Sequence, residues 1–200
     1  MATLKSDFDV LKIKDFFDGP TCAKVLAEMR MAHSAPATVY RGDTPGIVDQ
    51  DIRKTTRILP SLEMREFVTQ RLLERKGIVE EHFRVNLSEC EDPQFLRYGV
   101  GDYFIAHQDG NTGLIQFDLQ TIRRVSVIIF LSNQSEVEGP DVYCGGSLVL
   151  HRYGYVAGAS DCHLPLMGEM GTLVAFPPET THEVIPVTYG ERYSIASWFR

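Results

Sequence analysis

The fold is decided by the segment RVSVIIFL at residues 124–131. Its apolar residues are nearly continuous, a pattern that is typical of a strand with both faces buried. Shorter apolar segments, separated by Gly and Pro, follow at 148–150, 172–176, 182–187 and 193–199. Many short strands divided by turn signals predict a β-sandwich or a β-barrel.

The N-terminal part of the chain has a different pattern, which predicts helices. Residues 8–17 predict a strand, and Pro20 suits the first turn of a helix that runs to about Met31. Residues 33–50 are rich in Ala, Pro, Thr, Gly and Asp and predict a loop, and Ser61 suits the N-cap of a second helix. Because the helices precede the strands, a doubly wound parallel sheet is disfavoured. The prediction is a mainly β jelly-roll with helices packed outside one sheet.

The second helix is expected to bury one side against the barrel. The apolar residues that mark this side are Leu62, Phe67, Val68, Leu72 and Leu73. Gly77 is expected to break or bend the helix before Phe83.

Length and charge limit the domain organisation and the partners. The 200 residues fit a single domain, 1–200, in which 1–93 form a supporting strand and helices and 94–200 form the jelly-roll core. The net charge of −7 makes a nucleic-acid partner unlikely, because proteins that grip a phosphate backbone need a basic face.

Cysteine usage and the N-terminus predict a location. The four cysteines form no CxxC, residues 1–6 lack an apolar leader region, and no segment is long enough to span a membrane. We therefore expect a cytoplasmic protein with reduced thiols and no membrane partner. The adjacent pair Cys162-His163 is weak support for a second metal site.

Candidate metal ligands occur in two of the predicted strands. His107 and Asp109 are two residues apart, so on a strand they project from the same side, and His182 lies in a later strand that the fold must bring to them. Two imidazoles and a carboxylate can hold Fe(II) on one face and leave positions open for oxygen. Arg192, ten residues beyond His182, could bind a carboxylate of a bidentate co-substrate.

The last predicted strand places a tryptophan on the same face as this arginine. Its alternate residues are Arg192, Ser194, Ala196 and Trp198. Trp198 could therefore line the same cavity, although core packing is the commoner role of tryptophan. The segments 33–60 and 109–123 are the candidate lids.

The stretch from about residue 94 to 200 resembles the catalytic core of the prolyl 4-hydroxylase-like branch of the 2-oxoglutarate oxygenases. The order and spacing of seven segments carry the resemblance. They are Phe95-Leu96-Arg97-Tyr98-Gly99, Tyr103-Phe104-Ile105-Ala106-His107-Gln108-Asp109, residues 124–131, Gly145-Gly146-Ser147-Leu148-Val149-Leu150, Leu173-Val174-Ala175-Phe176-Pro177, His182-Glu183-Val184 and residues 192–199.

The resemblance implies a double-stranded β-helix and a role for each motif residue. His107, Asp109 and His182 match the residues that bind iron in the family, and these are the implied catalytic residues. Arg192 matches the basic residue that binds the far carboxylate of 2-oxoglutarate, and Tyr98 matches a tyrosine near this co-substrate. The implied cofactors are Fe(II), 2-oxoglutarate and O2, with ascorbate as a candidate reductant.

The sequence departs from the family pattern at one position. Several members have a tyrosine at the end of the second core strand that helps to hold the same carboxylate, whereas this chain has Phe130, which cannot donate a hydrogen bond. Tyr98, a hydroxyl such as Ser126 or Thr172, or a water could replace it, or the affinity for the co-substrate is weaker.

The expected function is hydroxylation of an unactivated carbon by an Fe(II)- and 2-oxoglutarate-dependent dioxygenase. The resemblance favours a prolyl residue of a peptide or protein, with Tyr103 and Trp198 as candidate contacts for the ring. A free amino acid or another small molecule is the alternative substrate. The alternative from another class is a non-redox metal-binding jelly-roll, which would need the three ligands but not Arg192.

Overall fold

A computed structural model describes residues 8–41, 44–110, 123–152 and 163–200. Within these residues the chain forms three helices and seventeen strands. The helices are α1 (Gly19–Met31), α2 (Leu62–Leu73) and α3 (Lys76–Phe83).

Six strands lie in the N-terminal part and eleven in the part where the sequence predicts a jelly-roll. The first six are β1 (Leu11–Ile13), β2 (His33–Pro36), β3 (Val39–Arg41), β4 (Thr44–Ile47), β5 (Arg53–Lys54) and β6 (Thr56–Leu59). The others are β7 (Gln94–Tyr98), β8 (Tyr103–His107), β9 (Val125–Phe130), β10 (Asn133–Gln134), β11 (Val142–Gly145), β12 (Leu148–His151), β13 (His163–Leu166), β14 (Leu173–Phe176), β15 (Thr181–Val184), β16 (Val187–Tyr189) and β17 (Arg192–Phe199).

Two antiparallel sheets form the walls of the barrel. The major sheet has seven strands in the order β1-β14-β9-β17-β7-β6-β2, and the minor sheet has five in the order β13-β12-β15-β8-β5. A three-stranded sheet, β10-β11-β16, and the pair β3-β4 complete the described strands. This arrangement, with non-consecutive strands as neighbours, is the predicted jelly-roll.

The major sheet separates two apolar cores, because side chains alternate across its strands. On β17, Tyr193, Ile195 and Phe199 pack on the side of the helices, whereas Ala196 and Trp198 face the minor sheet. The core between the sheets takes further residues from both walls. These include Leu96, Val174, Leu148, Leu150 and Val184. The helices therefore pack against the outer face of the major sheet, and the space between the two sheets is available for a binding site.

Local sequence signals place the helices where they were predicted. The Asp18 side chain accepts a hydrogen bond from the Thr21 N–H at 2.8 Å and caps α1, and the Ser61 hydroxyl accepts one from the Met64 N–H at 3.2 Å and caps α2. The helix breaks between α2 and α3 at residues 74–75, just before the expected position, and Gly77 itself lies in the first turn of α3.

The predicted buried side of α2 was partly wrong. Val68 and Leu72 are buried together with Met64, which the prediction omitted. These three residues are spaced by four, so they form one stripe along the helix. The remaining predicted members lie off this stripe and are exposed, namely Leu62 at 58%, Phe67 at 36% and Leu73 at 36%.

Three predicted element boundaries also differ from the structure. The strand predicted at 8–17 is limited to β1, and the loop predicted at 33–50 contains β2, β3 and β4. The strand predicted at 182–187 is divided into β15 and β16, which pair in different sheets. At 8–17 and 182–187 apolar content indicated a strand and tertiary pairing set its limits, whereas at 33–50 pairing forms strands that the composition did not indicate.

Gly171 joins the N-terminal segment to the major sheet, and its replacement should destabilise the fold. Gly171 has φ +82°, and a Cβ atom there would overlap the carbonyl oxygen of Phe17. Gly171→Ala is expected to lower the free energy of unfolding by at least about 2 kcal/mol, because left-handed backbone costs about 1–2 kcal/mol and the overlap adds to it. Urea unfolding would measure the change.

The matched control is Gly77→Ala at the start of α3. No heavy atom lies within 4 Å of a Cβ atom built there, and Gly77 is exposed. This variant should be neutral or more stable by up to about 1 kcal/mol, since alanine favours helix. Equal destabilisation by both substitutions would contradict the role given to Gly171.

None of the described helices combines the length and the apolar character that a membrane-spanning segment requires. Cys22, Cys90 and Cys144 are free thiols. Cys162, and with it the Cys162-His163 pair, lies outside the described residues.

Candidate active site

Three candidate ligands converge at one end of the minor sheet. His107 closes β8 and pairs in register with His182 on β15, and Asp109 follows two residues after the strand. The Nε2 atoms of His107 and His182 lie 3.7 and 3.5 Å from the Asp109 carboxylate oxygens. One donor atom from each residue lies within 4.8 Å of the other two. This is the geometry that a single metal ion requires.

Backbone hydrogen bonds orient both imidazoles toward this centre. The Nδ1 atom of His107 lies 2.8 Å from the Ile105 carbonyl oxygen, and that of His182 lies 2.9 Å from the Thr180 carbonyl oxygen. Because a carbonyl oxygen only accepts, each Nδ1 must carry the proton. Each neutral Nε2 then has a free lone pair, which faces the Asp109 carboxylate and is available to a metal.

Electrostatics favour neutral donors beside an ionised carboxylate. Burial lowers the pKa of His182 to about 4, so its imidazole is uncharged near neutral pH. Burial alone would raise the pKa of Asp109, but positive charge on the adjacent His182 and His107 would outweigh it and hold that pKa well below the usual range. Two imidazole nitrogens and one carboxylate oxygen suit a divalent cation such as Fe(II).

The side chains of β8 do not alternate strictly between the two faces of the strand before His107. In the pairing of β8 with β15, His107 is opposite His182 and Phe104 is opposite Val184, so the register shifts between them. This bulge breaks the period of two, and Phe104 lies on the same cavity wall as His107. The two rings stack with centroids 3.6 Å apart. A strict alternation along β8 would place Phe104 on the opposite face from His107.

Hydrogen bonds hold the segment after β8 against the turn before β15. The Asp109 N–H donates to the Pro178 carbonyl at 3.0 Å. The Gln108 side-chain amide donates to the Glu179 carbonyl at 2.7 Å and to the Thr181 hydroxyl at 3.2 Å. These contacts fix the two ligand-bearing segments relative to each other.

Arg123 supports Asp109, and sequence reasoning did not identify it. Its guanidinium donates to both Glu91 carboxylate oxygens, at 2.7 and 2.8 Å, and to the Asp109 backbone carbonyl at 2.7 Å. It also lies 3.7 Å from the centre of the Trp198 ring. Burial would raise the pKa of Glu91, but Arg123 and Arg200 lower it below the ordinary value. No local motif marks this network, since Glu91 is 32 residues from Arg123.

Arg192 is a deeply buried cation without a counter-anion. It is 1% exposed, and no carboxylate among the described residues pairs with it. One amino group, Nη1, donates to the Ser194 hydroxyl at 2.7 Å, whereas Nε and Nη2 have no hydrogen-bond partner. An uncompensated buried charge is costly, so this end of the barrel is arranged to receive an anion.

A cavity of about 540 Å³ connects the three candidate ligands with Arg192. Tyr98 and Trp198 line it, and Tyr98 pairs in register with Arg192, whose guanidinium lies 5.0 Å from the Tyr98 ring centre. Tyr103 does not line this cavity, because its hydroxyl donates to the Gln50 carbonyl at 3.0 Å. The structure thus brings together every predicted site residue except Tyr103.

The structure describes most of one predicted lid segment and little of the other. The segment 33–60 supplies several cavity-lining residues, among them Thr38, Val39, Ile52, Arg53 and Arg57. The segment 109–123 lies largely outside the described residues, which include only its two ends.

A jelly-roll whose interior joins a two-histidine, one-carboxylate centre to a buried arginine defines a metal- and carboxylate-binding protein. A profile described as "2OG-Fe(II) oxygenase superfamily" matches residues 93–200. The chain belongs to this superfamily. The metal and the co-substrate of the family are Fe(II) and 2-oxoglutarate, which agrees with the donor set and with the unpaired Arg192.

Curated relatives match half of the chain or more. A PKHD-type hydroxylase from Paracoccus denitrificans is 36% identical over 107 residues, which are 53% of this chain and 41% of the relative. A PKHD-type hydroxylase from Shewanella sp. (strain ANA-3) is 30% identical over 146 residues, which are 70% of this chain and 55% of the relative. The chain therefore spans roughly half, or less, of the length of these relatives.

Solved structures share the fold along almost the whole chain. A Pseudomonas putida prolyl-4-hydroxylase has a TM-score of 0.68 at 22% identity and covers 97% of this chain and 93% of its own. A Trichoplax adhaerens prolyl hydroxylase, solved with a peptide fragment of the hypoxia inducible factor oxygen degradation domain, has a TM-score of 0.69 at 17% identity. It covers 96% of this chain and 84% of its own. These likenesses confirm the jelly-roll.

Proposed function

We propose that the chain is an Fe(II)- and 2-oxoglutarate-dependent dioxygenase that hydroxylates an unactivated carbon, most favourably in a peptidyl proline. The observation that carries the proposal is one continuous cavity with a three-ligand centre at one place and an uncompensated buried arginine at another. A bidentate 2-oxo acid needs both, since its oxo acid end binds the metal and its far carboxylate needs a cation.

In this proposal His107, Asp109 and His182 hold the metal through Nε2, a carboxylate oxygen and Nε2. Fe(II) supplies oxidising chemistry that couples decarboxylation of 2-oxoglutarate by dioxygen to hydroxylation of the substrate. The protein supplies orientation, because Arg192 fixes the far end of the co-substrate. It also limits water, because the apolar side chains of Leu148, Ile128 and Ala196 line the same cavity.

The preferred substrate is a prolyl residue of a peptide or protein. Support comes from the PKHD-type hydroxylase relatives and from the fold shared with prolyl hydroxylases, one of them solved with a peptide. Trp198 lines the cavity beside the metal centre and offers an apolar ring surface on which a proline could pack. The segment that contains Thr38 and Val39 forms part of the same cavity and could contact an extended backbone.

A free amino acid or another small metabolite remains the alternative. A cavity of about 540 Å³ is within the range typical of small-molecule sites, and 2-oxoglutarate would occupy part of it. A non-redox metal-binding module is less well supported, because such a module has no use for the buried charge of Arg192.

Mass spectrometry with product analysis tests the proposal. With Fe(II), ascorbate and 2-oxoglutarate, proline-rich peptides should gain the mass of one oxygen atom, with one succinate formed for each product. A parallel incubation uses free amino acids and small metabolites. Oxygen incorporation in the second set alone would exclude the peptide assignment but not the dioxygenase. No consumption of 2-oxoglutarate in either set, by protein with stoichiometric Fe(II), would overturn the proposed reaction.

A further inference from the structure

Phe130 leaves the buried arginine without a neighbouring hydroxyl from the second core strand. Phe130 closes β9 inside the barrel and is 1% exposed. The guanidinium carbon of Arg192 lies 5.5 Å from the centre of its ring. A phenylalanine here supplies an apolar surface but no donor. A carboxylate bound at Arg192 would have several lone pairs to satisfy, and the free Nε and Nη2 donors of that side chain would satisfy only some of them.

A tyrosine from another strand occupies this end of the barrel. Tyr143, on β11, is fully buried, and its hydroxyl has no hydrogen-bond partner. A Cβ atom added to Gly146 would lie 3.2 Å from the Tyr143 ring and 3.3 Å from Arg192 Cδ, so these two side chains meet there. A Cβ atom added to Gly168 would overlap the Tyr143 hydroxyl and lie 3.3 Å from the Phe130 ring. The Tyr143 side chain therefore runs from Arg192 to Phe130.

We propose that the Tyr143 hydroxyl is the second donor, beside Arg192, for the far carboxylate of 2-oxoglutarate, and that it replaces the hydroxyl that Phe130 lacks. The inference rests on the proposed function, because it assumes that this co-substrate binds at Arg192. In this proposal a side chain on β11, Tyr143, donates the hydrogen bond that a tyrosine at the end of β9, in place of Phe130, would donate.

The chemistry of the phenol supports a donor role. Burial raises the pKa of Tyr143, and the charge and close approach of the Arg192 guanidinium only partly oppose this. The hydroxyl is thus protonated near neutral pH and can donate. A buried hydroxyl without a partner costs free energy, and a carboxylate oxygen would satisfy it.

Packing around Tyr143 keeps its ring in place. Gly146 has φ +63°, and any larger residue there would press on the ring and on Arg192. Gly168 leaves room for the hydroxyl itself. Two glycines therefore accommodate one tyrosine, which fixes the position of its hydroxyl before a ligand binds.

The other hydroxyls considered from the sequence are less well placed or do a different task. Ser126 is opposite Trp198, four residues from Phe130 along the same strand, which is roughly 13 Å away. Thr172 is adjacent to Phe130, and its backbone carbonyl accepts the Phe130 N–H at 2.9 Å. Tyr98 presents its ring to Arg192. Thr172 and Tyr98 therefore serve as comparison positions in the test.

The test is calorimetric binding of 2-oxoglutarate to protein loaded with Mn(II), without turnover. Tyr143→Phe should weaken binding by about tenfold or more, the usual effect of losing a hydrogen bond to a charged group. Thr172→Val and Tyr98→Phe should change binding less. Tyr193→Phe is the matched control, since its hydroxyl donates to Glu191 at 2.8 Å and its ring packs on the helix side of the sheet.

A second ligand separates a direct contact from a structural effect. In 2-oxopentanoate a methyl group stands where 2-oxoglutarate has its far carboxylate. Tyr143→Phe should leave the binding of 2-oxopentanoate unchanged and should not lower the unfolding temperature, because it removes a buried hydroxyl that makes no hydrogen bond in the ligand-free protein. Adding Phe130→Tyr to Tyr143→Phe should restore much of the lost affinity for 2-oxoglutarate.

The possible results of these binding experiments distinguish a failure of the role of Tyr143 from a failure of the proposed function. If the wild-type protein binds 2-oxoglutarate and Tyr143→Phe binds it equally well, the role of Tyr143 is refuted and the proposed function stands. If Tyr143→Phe weakens both oxo acids equally, the hydroxyl has only a structural role and the inference is likewise overturned. If the Mn(II)-loaded wild-type protein does not bind 2-oxoglutarate, the proposed function itself fails.

Discussion

Replacement of His182 by alanine is expected to abolish both metal retention and turnover. His182 is buried, its Nδ1–H is held by a backbone carbonyl, and its Nε2 faces Asp109. Removing a partner outside the coordination shell usually costs about 10–100-fold in metal affinity, so losing a ligand should cost at least about 100-fold. His107→Ala should behave in the same way. Asp109→Ala should lose hydroxylation but retain some iron through the two imidazoles.

Metal content and turnover measured on the same samples check this expectation. His163→Ala is the matched control, because His163 is an exposed histidine on β13 of the same sheet and lies outside the three-ligand cluster. It should retain one iron per chain and full activity. Stoichiometric Fe(II) with undiminished turnover in His182→Ala would refute the ligand assignment.

Replacement of Arg192 should raise the requirement for 2-oxoglutarate far more than it affects the metal. Losing one partner of a buried charge pair costs about 2–5 kcal/mol, which is roughly 30-fold or more in affinity. Arg192→Lys should be milder than Arg192→Ala, since lysine keeps the charge but loses the planar fork. The dependence of succinate formation on the concentration of 2-oxoglutarate would measure both variants.

Replacement of Arg192 by methionine should weaken the binding of 2-oxoglutarate but should not destabilise the ligand-free protein. Arg192 is a buried charge with two unsatisfied nitrogens, so Arg192→Met removes a destabilising group while it roughly keeps the volume. Its unfolding temperature should be equal to or higher than that of the wild-type protein, whereas 2-oxoglutarate should no longer raise it. Unchanged affinity for 2-oxoglutarate in Arg192→Met would contradict the assigned role.

Residue type and spacing were enough to find the candidate ligands. His107, Asp109, His182 and Arg192 carry groups with few other uses in a barrel interior, and the structure brings them to one cavity. The jelly-roll was also predictable, because short apolar strands divided by Gly and Pro leave few alternatives. What spacing did not predict was the bulge in β8, since a strict alternation would place Phe104 away from the cavity.

The supporting residues were beyond sequence reasoning for a physical reason. Arg123 acts through Glu91, Trp198 and a backbone carbonyl, contacts that depend on how distant segments pack. The proposed donor role of Tyr143 depends on its position beside Arg192 and Phe130, which only the fold brings together. Neither environment is encoded by neighbouring residues in the chain, so only the folded arrangement identifies them.

The central position of β17 has a consequence for biosynthesis. This strand, Arg192–Phe199, pairs with β7 on one side and β9 on the other, yet a ribosome makes it after both. Until residue 199 has left the exit tunnel, β7 and β9 each have an unpaired apolar edge, and such edges promote association between nascent chains. Closure of the barrel therefore waits for β17 and should be slow, because its central pairings are between distant segments.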